Sequence, residues 1–198
     1  MLKKYIFILA ISSFFLNLSR ADESVVTYWQ NGNKKSEIGY KDNKLNGKKT
    51  IWAENGIKLF EAEYKDDKLN GKETFWSEKG IKNLETEFKE GLKNGKKIHW
   101  YENGAKKTER EYINDKLNGK STYWYENGKK ESEFEYKDDK LNGKVFFWHE
   151  NSTIKIEQEY KNDKLNGKST EWDDKGIKIK EKEWKDGVMI KDYLAPVK

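Results

Sequence analysis

The sequence predicts an all-β protein: an elongated single antiparallel sheet of stacked β-hairpins, made from tandem 24-residue repeats. Three observations predict it. The first is an unbroken period, in which Gly47, Gly71, Gly95, Gly119, Gly143 and Gly167 lie 24 residues apart. The second is a pair of Asn-Gly steps in each period, such as Asn55-Gly56 and Asn70-Gly71. Asn-Gly supplies the positive-φ positions of tight hairpin turns. The third is alternation between the turns: in Phe60-Glu61-Ala62-Glu63-Tyr64, residues 60, 62 and 64 face one way and the two Glu the other. A period of two over five residues between turn signals reads as a half-buried strand.

The aromatic columns keep the same register. Trp52, Trp76, Trp100, Trp124, Trp148 and Trp172 form one, and Tyr64, Tyr112, Tyr136 and Tyr160 belong to another that also holds Tyr40, Phe88 and Trp184. Equivalent residues of successive repeats fall two strands apart, about 9–10 Å. The Trp and Tyr columns are therefore expected to form aromatic rows along the sheet, as core or as a partner-binding surface. The acidic column at Glu63, Glu87, Glu111, Glu135, Glu159 and Glu183 is expected on the other face. Lys and Glu are good helix formers. Two turns per period, however, leave segments of only about six to eight residues, too short for isolated helices. Leucine-rich repeats have a compatible period, but this unit has a single Leu. Strict self-similarity implies units that bury their apolar faces only by stacking.

The ends differ from the array. Lys3 and Lys4 precede a mostly apolar run, Tyr5 to Leu18, and Ser19-Arg20-Ala21 follows with small residues before Asp22-Glu23. Residues 1–21 read as a secretory signal peptide cleaved after Ala21. The alternative is an uncleaved N-terminal anchor. Export to the periplasm, the cell surface or the medium is the expected localisation. Residues 22–190 form the array of about six full copies with partial ends, and 191–198 a C-terminal cap or tail. Pro196 stands at the Trp position there, and a proline cannot donate to a ladder.

Composition narrows the function. The 38% of charged residues would suit a disordered chain, but eight Trp, eleven Tyr and nine Phe at fixed positions argue for folding around a thin core. Lys3, Lys4 and Arg20 account for three of the five net positive charges, so the remainder is near neutral and both signs alternate. A basic block or stripe of the kind that binds nucleic acid is absent. The chain has no Cys. His99 stands in a column filled by Ile51, Phe75, Tyr123 and Phe147, and His149 where Tyr101 and Tyr125 sit, so both read as substituted aromatic positions. The acid pairs Asp66-Asp67 and Asp138-Asp139 are followed by Lys68 and Lys140 at the third position, where a calcium loop needs an acid. Turn chemistry explains them better. No catalytic residues, cofactor or metal site are expected.

Stretches such as Trp124-Tyr125-Glu126-Asn127-Gly128-Lys129-Lys130, and Glu135 through Asp138-Asp139-Lys140-Leu141-Asn142-Gly143-Lys144, make the unit resemble the MORN repeat variant. The resemblance covers about residues 25–190 and implies an elongated, gently curved sheet of hairpins. It also implies an adaptor for proteins, with anionic phospholipid contact as another use of such arrays. Many bacterial members are catalogued as antitoxin components, a role that a signal peptide fits only if the toxin is exported too. The expected function is a non-enzymatic exported scaffold that binds a protein. A glycan or cell-wall binder, a phospholipid-surface binder, and an antitoxin-like partner of an exported toxin are the alternatives.

Overall fold

A computed structural model describes residues 23–193. The described chain is all β and divides into two compact units, one up to Leu92 and one from Lys93. The first unit contains β1 (Glu23–Tyr28), β2 (Lys34–Lys41), β3 (Lys44–Trp52), β4 (Lys58–Lys65), β5 (Lys68–Trp76) and β6 (Lys82–Lys89). The second contains β7 (Leu92–Trp100), β8 (Lys106–Ile113), β9 (Lys116–Trp124), β10 (Lys130–Lys137) and β11 (Lys140–Trp148). It continues through β12 (Ile154–Lys161), β13 (Lys164–Trp172), β14 (Lys178–Lys185) and β15 (Val188–Tyr193). Within each unit every strand pairs antiparallel with its neighbours in sequence, without a crossover. This is the fold class that the repeat predicts. No helix among the described residues is long and apolar enough to cross a membrane.

The two turns of each repeat are chemically different, and one is not where the sequence pattern put it. The four-residue turn at Ala53–Gly56 is as expected. Gly56 donates its N–H to the Ala53 carbonyl at 2.9 Å, with φ 85°. Asn55 contributes through its side chain, whose Oδ1 accepts the Ile57 N–H at 3.1 Å. The second Asn-Gly is not a turn. Asn70-Gly71 and its equivalents lie inside strands β3, β5, β7, β9, β11 and β13. The tight two-residue turn is Asp66-Asp67 or Asp138-Asp139, with φ of 48° and 66° in the first and 49° and 66° in the second. Asp tolerates this left-handed region because its short side chain bonds locally. The Gly instead serves a bulge, where the register slips between Phe134 and Tyr136. Gly143 sits there at φ 132°, and a Cβ would collide with the Glu135 carboxylate, meeting its Cδ at 2.6 Å.

Repeats are joined by a backbone and side-chain clasp at the Asp turn. Asp139 donates its N–H to the Leu117 carbonyl at 2.9 Å, and its Oδ1 accepts the Leu117 N–H at 2.8 Å. The same pair of bonds links Asp67 to Leu45, Asp115 to Lys93 and Asp163 to Leu141. A second joint lies at the other turn, where Asn31, Asn103 and Asn151 donate to the carbonyls of Glu54, Glu126 and Asp174.

The core is thin, as composition suggests. Ala62 and Val145 are the buried apolar residues among those described, and most other buried side chains are Thr or Ser. A strand with sheet neighbours only at its edges leaves large side chains half-covered. At the C-terminal end, Lys191 is part of β15 and pairs with Glu183, so the hairpin pattern runs past residue 190, where the cap was expected to begin. Pro196 and the cleavage position Ala21 lie outside the described residues.

Candidate functional site

The two aromatic columns do not share a face. Glu61 is opposite Thr50 on β3 and Thr74 on β5, which places all three on one side of the sheet. Lys58 on that side bonds Glu61 at 2.7 Å and holds its Nζ 5.3 Å from the centre of the Trp76 ring. Lys34 does the same for Glu37 and Trp52, Lys106 for Glu109 and Trp124, and Lys130 for Glu133 and Trp148. Phe146, opposite Glu133, stacks on Trp148 at 5.6 Å. The Trp column thus lies among the carboxylates. Because strand residues alternate, Glu63 and its equivalents share this face with Glu61, so the acidic rows lie beside the Trp column and not behind it.

The Tyr column occupies the opposite face. Phe134 touches Tyr136 at 6.4 Å, Tyr123 at 5.7 Å and Phe147 at 5.5 Å. Tyr160 donates to Gln158 at 3.1 Å. Tyr64 and Tyr112 stand at the same register opposite Leu69 and Leu117. The candidate row read from sequence is therefore two rows. In the first unit Trp52 and Trp76 are on one side and Tyr64 on the other, and in the second Trp100, Trp124, Trp148 and Trp172 are on one side and Tyr112, Tyr136 and Tyr160 on the other. All ten are half-buried.

The Trp face is an ionic lattice. Along the column from Glu37 to Glu181, a Glu typically receives a Lys from three residues before it and a second from the preceding strand. Glu85 is bonded by Lys72 at 2.8 Å and Lys82 at 2.7 Å, and Glu133 by Lys120 at 2.9 Å and Lys130 at 2.6 Å. Burial pushes the carboxyls of Glu85, Glu109 and Glu133 up, but hydrogen bonds and charge from the two lysines outweigh it and hold them below the ordinary range. Ile154 replaces the local Lys in one repeat, and Glu157 keeps Lys144 at 2.8 Å.

The position after Trp carries a further regularity that the sequence shows only as a loose aromatic preference. Tyr101 Oη donates to the Trp124 carbonyl at 2.8 Å, Tyr125 to that of Trp148 at 3.3 Å, and Trp29 Nε1 to that of Trp52 at 3.1 Å. His149 Nε2 is 3.0 Å from the Trp172 carbonyl, taking the same place. This histidine is a substituted aromatic, as read from its column. His99 lies on the Tyr face opposite Thr108, and burial lowers its pKa, helped by Lys97, Arg110 and Lys107. Among the described residues no three potential metal ligands cluster. An open groove of about 630 Å³ in the first unit runs along the Asp turns and is lined by groups of both charges, such as Lys41, Asp42, Lys48 and Glu63.

Comparison with known proteins agrees with the repeat. Residues 117–138 and 141–162 match the family described as MORN repeat variant. These stretches are the β9–β10 and β11–β12 hairpins, so each matched copy is one structural repeat of the second unit. No curated protein of established function matches the chain.

Proposed function

We propose that this protein is an exported, non-enzymatic scaffold that holds a protein partner on its Tyr-bearing face. One observation carries the reading: the repeats differ from one another almost entirely on that face. On the Trp side the columns are nearly constant, with Trp, Glu and Lys48, Lys72, Lys96, Lys120, Lys144 and Lys168 in every copy. On the Tyr side the column through Ala62 reads Ile38, Ala62, Thr86, Arg110, Phe134, Gln158 and Lys182. The column through Phe75 reads Ile51, Phe75, His99, Tyr123, Phe147 and Glu171. Stacking identical units demands the same residues from each unit, so positions that vary are not set by stacking. Recognition of one particular surface uses that freedom, and half-exposed aromatics are suitable anchors. A glycan binder would need free Trp rings, and those of Trp52, Trp76, Trp124 and Trp148 each carry a lysine ammonium group.

The export part rests on residues 1–21, and N-terminal sequencing of protein from an extracytoplasmic fraction tests it: the first residue should be Asp22. The binding part is tested with the full protein as bait in its native host. Phe147→Ser and Ile156→Ser on the Tyr face should abolish capture of the partner, and Lys120→Ala on the Trp face should leave it intact, all three being folded by circular dichroism. Capture unaffected by the Tyr-face changes would refute the assignment.

A further inference from the structure

The second unit carries one cluster that no other repeat reproduces. The chain has two arginines, Arg20 and Arg110, in a sequence otherwise rich in Lys. Arg110 lies on β8 of the Tyr face, opposite Ser121 on β9. Its guanidinium lies 5.3 Å over the Tyr123 ring, and Nη2 donates to the Tyr123 oxygen at 2.8 Å. Tyr112 stands two residues further along the same strand, on the same face. The Tyr123 ring and oxygen hold the fork, but one buried donor is not filled. Nε of Arg110 has no partner, and neither do Thr108 Oγ1 and Ser121 Oγ beside it, at residues 8% and 1% exposed.

The missing partner is notable because the Trp face pairs its lysines with glutamates so regularly. No carboxylate among the described residues pairs with Arg110. Burial lowers the pKa of His99, opposite Thr108, and the charges of Lys97, Arg110 and Lys107 act in the same direction. A half-covered cation with an unfilled donor is unfavourable by itself and is relieved by an anion that brings its own acceptors. A planar fork held against Tyr123 matches a planar oxoanion bidentately. Beside it lies the apolar patch of Phe134 and Phe147, ring centres 5.5 Å apart, with Phe134 opposite both Ser121 and Val145.

We infer that Arg110 is a recognition point for a carboxylate of the partner protein, an Asp or Glu side chain flanked by an aromatic or other apolar residue that lands on Phe134 and Phe147. This rests on the Tyr face being the binding face, and it names the chemistry that the face selects. Arg110 contacts the ligand, Tyr123 positions it, and the hydroxyls of Thr108 and Ser121 lie beside it.

Phenylacetate contains both required groups and serves as the probe. With two arginines in the full chain, the Arg110 Nε–Hε signal is identified in a nitrogen–proton NMR spectrum by its loss in Arg110→Lys. Phenylacetate should shift that signal and the amides of residues 121–123 and 132–134 saturably. Phenylacetamide, equal in shape but uncharged, should leave them in place, and Arg110→Gln should weaken binding by about tenfold with an unchanged melting temperature, since a lost charge-assisted pair is of that order. Equal shifts with phenylacetamide, or undiminished binding by Arg110→Gln, would overturn the inference. Inorganic phosphate binding as tightly as phenylacetate would overturn the carboxylate assignment in favour of an unselective anion site. If the probe fails but Phe147→Ser still abolishes partner capture, only this inference falls. If Phe147→Ser leaves capture intact, the binding face itself is wrong, whatever the probe does.

Discussion

The Asp clasp between repeats offers the sharpest test of the fold, because one side chain does two separable jobs. Asp139 adopts a φ of 66° and accepts the Leu117 N–H through Oδ1 at 2.8 Å. Asn keeps both the acceptor and the tolerance for this backbone, so Asp139→Asn loses only charge assistance, about 0.5 kcal/mol. Gly keeps the backbone and the Asp139 N–H bond but loses the acceptor, which costs about 1–2 kcal/mol for a bond to a charged group at an exposed site. Ala loses the acceptor and must also enter the left-handed region, a further ~1 kcal/mol, for a total of about 2–3. The protein already contains the Gly version at Gly91 and Gly187, each of which keeps the N–H bond, to Leu69 and Leu165. Urea unfolding of the three variants, followed by far-ultraviolet circular dichroism, should rank them Asn, Gly, Ala in increasing loss. If Asp139→Asn is as damaging as Asp139→Ala, the clasp is not held by the carboxylate oxygen. If Asp139→Ala is harmless, the turn does not have the geometry described.

Three further outcomes are expected. Trp124→Ala should destabilise by about 2–3 kcal/mol, below the usual cost for a fully buried aromatic because the ring is half-exposed, and urea denaturation measures it. Acidification should be silent from pH 7 to about 5 and then destabilising. The Lys-bonded Glu85, Glu109 and Glu133 have folded pKa values below ordinary, so their contribution is complete above the unfolded carboxylate value of about 4.3 and is lost as pH falls through the folded ones. Thermal melts across this range should show a shallower acid decline in Glu133→Gln, and an unchanged decline would mean the lattice is not the cause. Deleting residues 145–168 joins Lys144 to Ser169 and restores a complete Lys-Leu-Asn-Gly-Lys-Ser-Thr-Glu-Trp strand in register, so the shortened chain should stay soluble and β-rich with a modestly lower melting temperature. A 12-residue deletion from the same point should aggregate instead, because it joins strands of unlike register.

The sequence was most informative where physics repeats. The period, the hairpin order and the face assigned to Phe60, Ala62 and Tyr64 were all legible, because alternation and turn residues report on local backbone geometry. The second Asn-Gly was misleading for a physical reason. A positive-φ Gly serves a bulge as well as a turn, and only the Glu135 carboxylate lying against Gly143 distinguishes the two. The separation of the Trp and Tyr columns was hidden by bulges as well. One slip falls between Phe75 and Trp76 and another between Ala62 and Tyr64, so counting by twos across a whole repeat loses the face. The Arg110 cluster had a sequence signal, the one Arg beyond residue 21, but its meaning depends on neighbours from β9 that no local pattern brings together.

The division between the faces follows from how such a sheet must be held together. A strand between two neighbours has little core to bury, so cohesion has to come from contacts that every repeat can make with the next. The Lys–Glu–Lys bridges tie the two strands within a hairpin; the lysines over Trp rings and the carbonyls taken up by Tyr101, Tyr125 and His149 are contacts from one repeat to the next. Each of the latter joins one repeat to its neighbour, and altering one residue in one copy disturbs the next. Those columns are therefore held constant by the stacking itself. The Tyr face has cross-strand pairs that differ from copy to copy, such as Phe60 with Phe75 and Tyr123 with Phe134, and each is satisfied locally. Local satisfaction frees the face to vary without loosening the array. A surface that varies while its scaffold stays fixed is what selective binding requires.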